Sequence, residues 1–140
     1  MNNQEIRAKL IKLLDNAYTP YYKFPVASAI ECDDGNIFYG VNVEDASSRA
    51  GICAERNALT CAITNGYGKN TFKRLYLMST AEKLIFPCFV CRQLILEFFE
   101  MDDELVLMNK DGKEAIYKMK DILTHPFSHE DLNNGSEGEV

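Results

Sequence analysis

Ile6, Leu10, Leu13, Leu14 and Ala17 recur at intervals of three and four with Lys and Glu between them. That spacing predicts an amphipathic first helix. Thr19-Pro20-Tyr21-Tyr22 interrupts it, and Phe24, Val26, Ser28 and Ile30 then alternate as a strand does. Asp33-Asp34-Gly35-Asn36 reads as a turn into a second strand over 37–43, so the two should form an antiparallel hairpin. Residues 44–52, with Ser47-Ser48 and Gly51, read as a loop. Residues 53–65 are rich in helix formers and stop near Gly66. A short apolar strand over 75–78 follows. Phe86-Pro87 then introduces a second strong helix over 88–99, proline being favoured in a helix's first turn. Leu105 to Met108 is a strand, Asn109-Lys110-Asp111-Gly112 a turn, and Glu114 to Tyr117 a final strand pairing back antiparallel. Met119 to Leu123 reads as a short helix. From Asn133 onward the residues are small and acidic, a pattern expected to fray.

A hairpin, then alternating strand and helix, then a strand pair implies an α/β fold. The expected architecture is a three-layer α/β/α sandwich with a mixed five-stranded sheet. With 140 residues and no internal repeat or linker, the chain is expected to form one domain over 1–132, followed by a flexible tail over 133–140. Both cysteine-bearing helices start just after a strand or loop, where α/β folds place their sites.

Composition narrows the classes. Hydrophobic residues are 46% and charged residues 26%, ordinary for a soluble globular chain. The formal net charge of -6 repels phosphate backbones, so a nucleic acid polymer is disfavoured as partner. No apolar run is long enough to span a bilayer, and no basic cluster suggests a membrane surface. The first sixteen residues lack a secretory apolar core. Five cysteines without an export signal point to reduced thiols and a cytoplasmic location rather than a disulfide framework.

The chemistry concentrates in Cys53-Ala54-Glu55 and Pro87-Cys88-Phe89-Val90-Cys91. Cys88 and Cys91 have the C-x-x-C spacing that brings two sulfurs to one zinc, and Cys53 supplies a third. Placement at helix starts lowers thiol pKa values and favours the thiolates that bind metal. A structural site would need a fourth ligand. Cys61 lies eight residues along the helix from Cys53, roughly 12 Å by helical rise, too far for one ion. Cys32 reads as a core or turn residue, and His125 and His129 have no metal-like spacing. An open, catalytic position is the reading that follows. Three thiolates leave zinc with a formal charge of -1, so a positive group is needed beside them. Arg56 and Arg92 each follow a motif residue, and one or both are candidates to donate to the sulfurs. Glu55 is placed to move protons beside metal-activated water.

These residues resemble the cytidine deaminase family in its small homotetrameric zinc form, over about residues 21–132. Tyr22-Lys23-Phe24-Pro25-Val26 resembles its first-strand motif, Asn42-Val43-Glu44-Asp45-Ala46-Ser47 its nucleoside-binding loop, and Cys53-Ala54-Glu55-Arg56 and Pro87 to Gln93 its metal motifs. The resemblance implies one Zn2+ per subunit on Cys53, Cys88 and Cys91, and a pyrimidine nucleoside as substrate. It implies that Phe24 packs near base or sugar. Asn42 and Glu44 bond the ribose, the Ala54 backbone meets the pyrimidine's amide edge, Glu55 shuttles protons and Arg56 offsets the thiolate charge. The implied reaction is hydrolytic deamination of cytidine and 2'-deoxycytidine, with release of ammonia, in pyrimidine salvage. Phe127 resembles a tail aromatic that reaches a neighbouring subunit's site. Phe89 and Ala27 stand at common glycine positions, Ser48 where an aromatic is frequent and Gly51 near a frequent Thr; none removes a ligand or the proton shuttle. Two rival readings remain: an aminonucleoside deaminase of the blasticidin S type, and a non-catalytic zinc-stabilised binding protein.

Overall fold

Five strands form one mixed sheet in the order β2-β1-β3-β4-β5. They are β1 (Val26–Cys32), β2 (Ile37–Val41), β3 (Phe72–Ser79), β4 (Glu104–Asn109) and β5 (Glu114–Lys118). The structure, a computed structural model, describes residues 1–135. Only β3 and β4 run parallel, from Arg74 opposite Glu104 to Ser79 opposite Asn109; the other pairs are antiparallel. The parallel pair requires a crossover, and it is α3 (Phe89–Phe98) that supplies it.

The pleat divides the core in two. Ala27, Ala29, Tyr76, Met78, Val106 and Met108 face α1 (Asn3–Leu14) and meet its Ile6, Leu10 and Leu14. Val26, Ile30, Leu75, Leu77, Leu105 and Leu107 face the other way, onto α2 (Ala54–Thr64) and α3, where Ala58, Leu59, Cys91 and Ile95 are buried. The result is the three-layer sandwich expected from the sequence. Every residue of β1 is buried, because helices cover both faces and strands flank both edges. Ser28, the one hydroxyl inside β1, donates to the Tyr76 carbonyl at 2.6 Å and so is satisfied.

The strand boundaries depart from the sequence reading where side chains replace the ladder. β1 starts at Val26 rather than Phe24, and β2 stops at Val41 rather than Val43. Asn42 accepts from the Val26 N–H at 2.8 Å and donates to the Phe24 carbonyl at 2.9 Å, so its side chain ends the pairing. Val43 turns away to bridge Tyr18 and Ile52 instead. Met119–Asp121 is a single 3-10 turn rather than a longer helix. The expected tail differs too. Residues 133–135 belong to α4 (His129–Gly135), and 136–140 lie outside the described residues.

One contact seats α2 on the sheet edge. A Cβ on Gly40 would stand 2.4 Å from the Ala58 nitrogen and 2.6 Å from the Ala54 carbonyl oxygen. Only glycine lets the β2 backbone lie directly against the helix. Asn57 reinforces the seat by donating from Nδ2 to the Val41 carbonyl at 3.0 Å.

Candidate active site

Cys53 and Cys88 occupy the N-cap positions of α2 and α3, and neither helix has a side-chain cap bond. The two helix starts lie together on one face of the sheet. Their unpaired N–H groups and positive dipole ends converge on the sulfurs. Cys53 Sγ lies 3.8 Å from Cys88 Sγ, which lies 3.5 Å from Cys91 Sγ. All three sulfurs fall within 4.8 Å of one another. Tetrahedral zinc with Zn–S bonds of about 2.3 Å holds its sulfurs about 3.8 Å apart, so the donor set fits that ion. Among the described residues the group contains three ligands and no fourth; Cys32, Cys61, His125 and His129 are not part of it.

Without a cation the three thiols cannot all ionise. Cys53 is held down to about 5, chiefly by the neighbouring Cys91 thiol and, against the effect of burial, by Arg56 and Cys88. Cys91 is pushed up by its hydrogen bond to Cys53 and by burial. One site that favours a thiolate at Cys53 and keeps the proton on Cys91 is a site short of positive charge. A divalent cation supplies it.

Glu55 is buried beside the sulfurs, 6% exposed. Burial raises its carboxyl to about 7, helped by the Cys53 charge and opposed by its own backbone N–H, Cys91 and Arg56. A carboxyl poised there can both accept and give a proton near neutral pH. Arg56 reaches the site from the next position. Its Nη2 lies 4.0 Å from Cys53 Sγ, and its Nε is buried without a partner. Burial works against the Arg56 charge, but bonds to Cys53 and Cys91 outweigh it and hold the pKa up. Arg92 does something else. Its Nε donates to the Pro87 carbonyl at 2.8 Å and its Nη1 to the Ile122 carbonyl at 3.3 Å, with the guanidinium over the Phe89 ring at 4.5 Å. Of the two arginines weighed from sequence, only Arg56 faces the sulfurs.

A cavity of about 230 Å³ opens beside this centre, lined by Cys53 and Arg56 together with Asn42, Glu44, Ser48 and Tyr22. Asn42 and Glu44 therefore share a cavity with Cys53. Glu44 Oε1 accepts from the Tyr21 and Tyr22 N–H groups at 2.9 and 3.1 Å, leaving its second oxygen for other partners. Ala54 is fully buried as the first residue of α2. Phe24 is 38% exposed and its carbonyl accepts from Asn42 Nδ2 at 2.9 Å, while Tyr22 is the aromatic residue that lines the cavity. Sequence reasoning passed over Tyr22, Gly40 and Asn57. Gly40 carried a signal, a lone glycine inside a strand, which marks close backbone approach.

Residues 1–108 match the family model described as the cytidine and deoxycytidylate deaminase zinc-binding region. The chain belongs to the cytidine deaminase family. A cytidine deaminase from Sporosarcina psychrophila is 34% identical over 137 residues, which is 98% of this chain and 99% of that protein. A probable cytidine deaminase from Dictyostelium discoideum is 38% identical, covering 93% of this chain and 89% of that one. The crystal structure of cytidine deaminase from Burkholderia pseudomallei superposes with a TM-score of 0.85 at 33% identity, over 91% of this chain and all of that one. This cytidine deaminase family member is a zinc-dependent hydrolase, and its three-sulfur centre is a group that could hold the ion.

Proposed function

We propose that the chain deaminates cytidine and 2'-deoxycytidine to the uridines, releasing ammonia. The observation that carries the reading is a buried carboxyl, Glu55, held beside three zinc-type sulfurs, one of which, Cys53, lines a cavity with Asn42 and Glu44. Cys53, Cys88 and Cys91 hold the ion. When bound, zinc supplies a Lewis acid that lowers the pKa of a water molecule. Glu55 takes the proton from the attacking water, delivers it to the ring nitrogen N3, and then carries a proton to the departing amine. Bond by bond, C4 gains oxygen and loses nitrogen, with no change in oxidation state. The second N–H and lone pair of the Asn42 amide and the second carboxylate oxygen of Glu44 bond the ribose, and the Ala54 backbone, at the start of α2, meets the base's amide edge. Arg56 offsets the thiolate charge.

The wider setting is part of the same proposal. Five free cysteines suit a reduced compartment, the cytoplasm, and the reaction belongs to pyrimidine salvage. Among the described residues no helix is long and apolar enough to cross a membrane. We infer a homotetramer: Phe89 and Val90 stand 80% and 62% exposed on α3 next to the site, an apolar surface that association would cover. Sedimentation reads the mass directly, and a monomer would refute the assembly.

The reading is tested by assaying cytidine and blasticidin S with wild type and Glu55→Gln, with zinc measured in both. Turnover of cytidine, lost by about 10²- to 10⁴-fold in the variant with zinc retained, is the expected result. Turnover of blasticidin S alone would assign the rival substrate, and no turnover of either would leave a binding protein.

A further inference from the structure

Two loops face each other across the open side of the cavity. One carries Tyr21-Tyr22-Lys23 and the other Asp45 to Ser48. Each holds a non-glycine residue in the left-handed region: Lys23 at φ 54° and Ser48 at φ 61°. That conformation is uncommon for residues with a Cβ and persists only where the surroundings fix it. The surroundings here are visible. Glu44 Oε1 ties down the Tyr21 and Tyr22 N–H groups, and the Lys23 N–H donates to the Thr19 carbonyl at 3.0 Å. On the other side, the Ser48 N–H donates to the Asp45 carbonyl at 3.1 Å. Between the loops, the Tyr22 hydroxyl and Ser48 Oγ meet at 3.4 Å.

The Tyr22 ring does not belong to the core. It is 70% exposed, yet it lines the cavity with Asn42, Glu44 and Cys53. A large aromatic face held at a cavity mouth by backbone bonds and a hydroxyl tether is a contact surface without an internal partner. Its anchor says what it would contact: the Tyr22 N–H is held by Glu44, the side chain that the nucleoside reading assigns to the sugar.

Resting on the nucleoside reading above, we infer that Tyr22 is a specificity-determining residue that packs its ring on the sugar of the substrate, with Ser48 fixing the ring's position. It acts in binding and not in the chemical step, so its loss raises KM and spares kcat.

The experiment compares Tyr22→Ser, Tyr22→Phe and Glu44→Gln with wild type. It measures cytidine kinetics and inhibition by two compounds, pyrimidin-2-one and its riboside. Tyr22→Ser should raise the cytidine KM and the riboside Ki about tenfold, with kcat within about twofold and the free-base Ki unchanged. Tyr22→Phe keeps the ring and loses the tether, so its KM should rise about threefold or less. An unchanged KM in Tyr22→Ser, or equal weakening of base and riboside, overturns the inference. Glu44→Gln separates the two levels. If it weakens the riboside while Tyr22→Ser does not, only the role of Tyr22 fails. If neither affects the riboside, the cavity is not the nucleoside site. Zinc content and thermal unfolding of each variant show that the fold is intact, and if Tyr22→Ser does not fold, Tyr22→Leu takes its place, with the same expected and overturning outcomes.

Discussion

Arg56 is asked to be a counter-charge, and the structure leaves it little else to do. Its Nε is buried and unpartnered, and its Nη2 lies beside Cys53. Replacing it with Gln should weaken zinc retention about 10- to 100-fold, read by competition with a chromogenic chelator, and lower kcat with it. A variant that holds zinc as well as wild type would remove that role. Cys32 makes the opposite case, a thiol kept out of chemistry. Burial first, then Asp34 and Asp33, push it up to about 11 from the ordinary thiol value of 9.0. The folded chain therefore keeps a proton that the unfolded chain gives up between those values. Stability contributed by neutral Cys32 is fully present below pH 9 and is lost as pH rises towards 11. At pH 8, with zinc removed, iodoacetamide should label the exposed Cys88 well before Cys32; mass spectrometry of the two peptides checks the order. That Cys53, Cys88 and Cys91 come together was readable from sequence because their spacing is largely local. Cys88 and Cys91 share one helix turn, and Glu55 is two residues from Cys53. The direction of Arg92 was not readable. Pro87 and Ile122 carbonyls claim its guanidinium, and Ile122 is 30 residues away in the chain.

The helices are placed by contacts weaker in sequence than in space. α2 lies against β2 because Gly40 has no side chain and Asn57 bonds Val41. Gly40→Ala would push a Cβ into backbone atoms of α2, which cannot rotate away. Destabilisation of about 1–3 kcal/mol or more is expected, read by chemical denaturation, and Cys53 should move with the helix so that zinc affinity falls too. A normal denaturation midpoint would mean that the edge yields more easily than this packing implies. Asn57→Ala is the milder probe, removing one side-chain bond at a cost of about 1 kcal/mol. Helices and strands were legible from periodicity, to within a few residues. Their ends were not, because Asn42 stops the β1–β2 ladder with its own side chain, and period alone gives no warning of that. Tyr22 lines the cavity because Glu44, 22 residues away in the chain, holds its backbone N–H, a long-range tie that no local pattern announces.

At the scale of the whole molecule, the sheet order β2-β1-β3-β4-β5 puts the hairpin and the crossover in one sheet, with both ligand helices on the face away from α1. The layered architecture was legible because β1, β3 and β4 are apolar on both faces, a pattern that demands cover on both sides. The net charge was equally plain. With -6 overall, the protein should retain no single-stranded oligonucleotide in filter binding at moderate salt, and retention would demand a basic surface that the composition does not offer. An ion held on Cys53, Cys88 and Cys91 would tie α2 to α3, so chelation should lower the thermal midpoint reversibly, restored by added zinc. The positions of the three sulfurs have a consequence for how the chain is made. All of them lie between residues 53 and 91, ahead of β4, whose first residue is 104. On the ribosome the complete ligand set therefore emerges before the strand that fills the sheet beneath α3. Until β4 arrives, the nascent chain carries three thiols whose meeting place is not yet built, so the site can close only after its last cysteine has long been made.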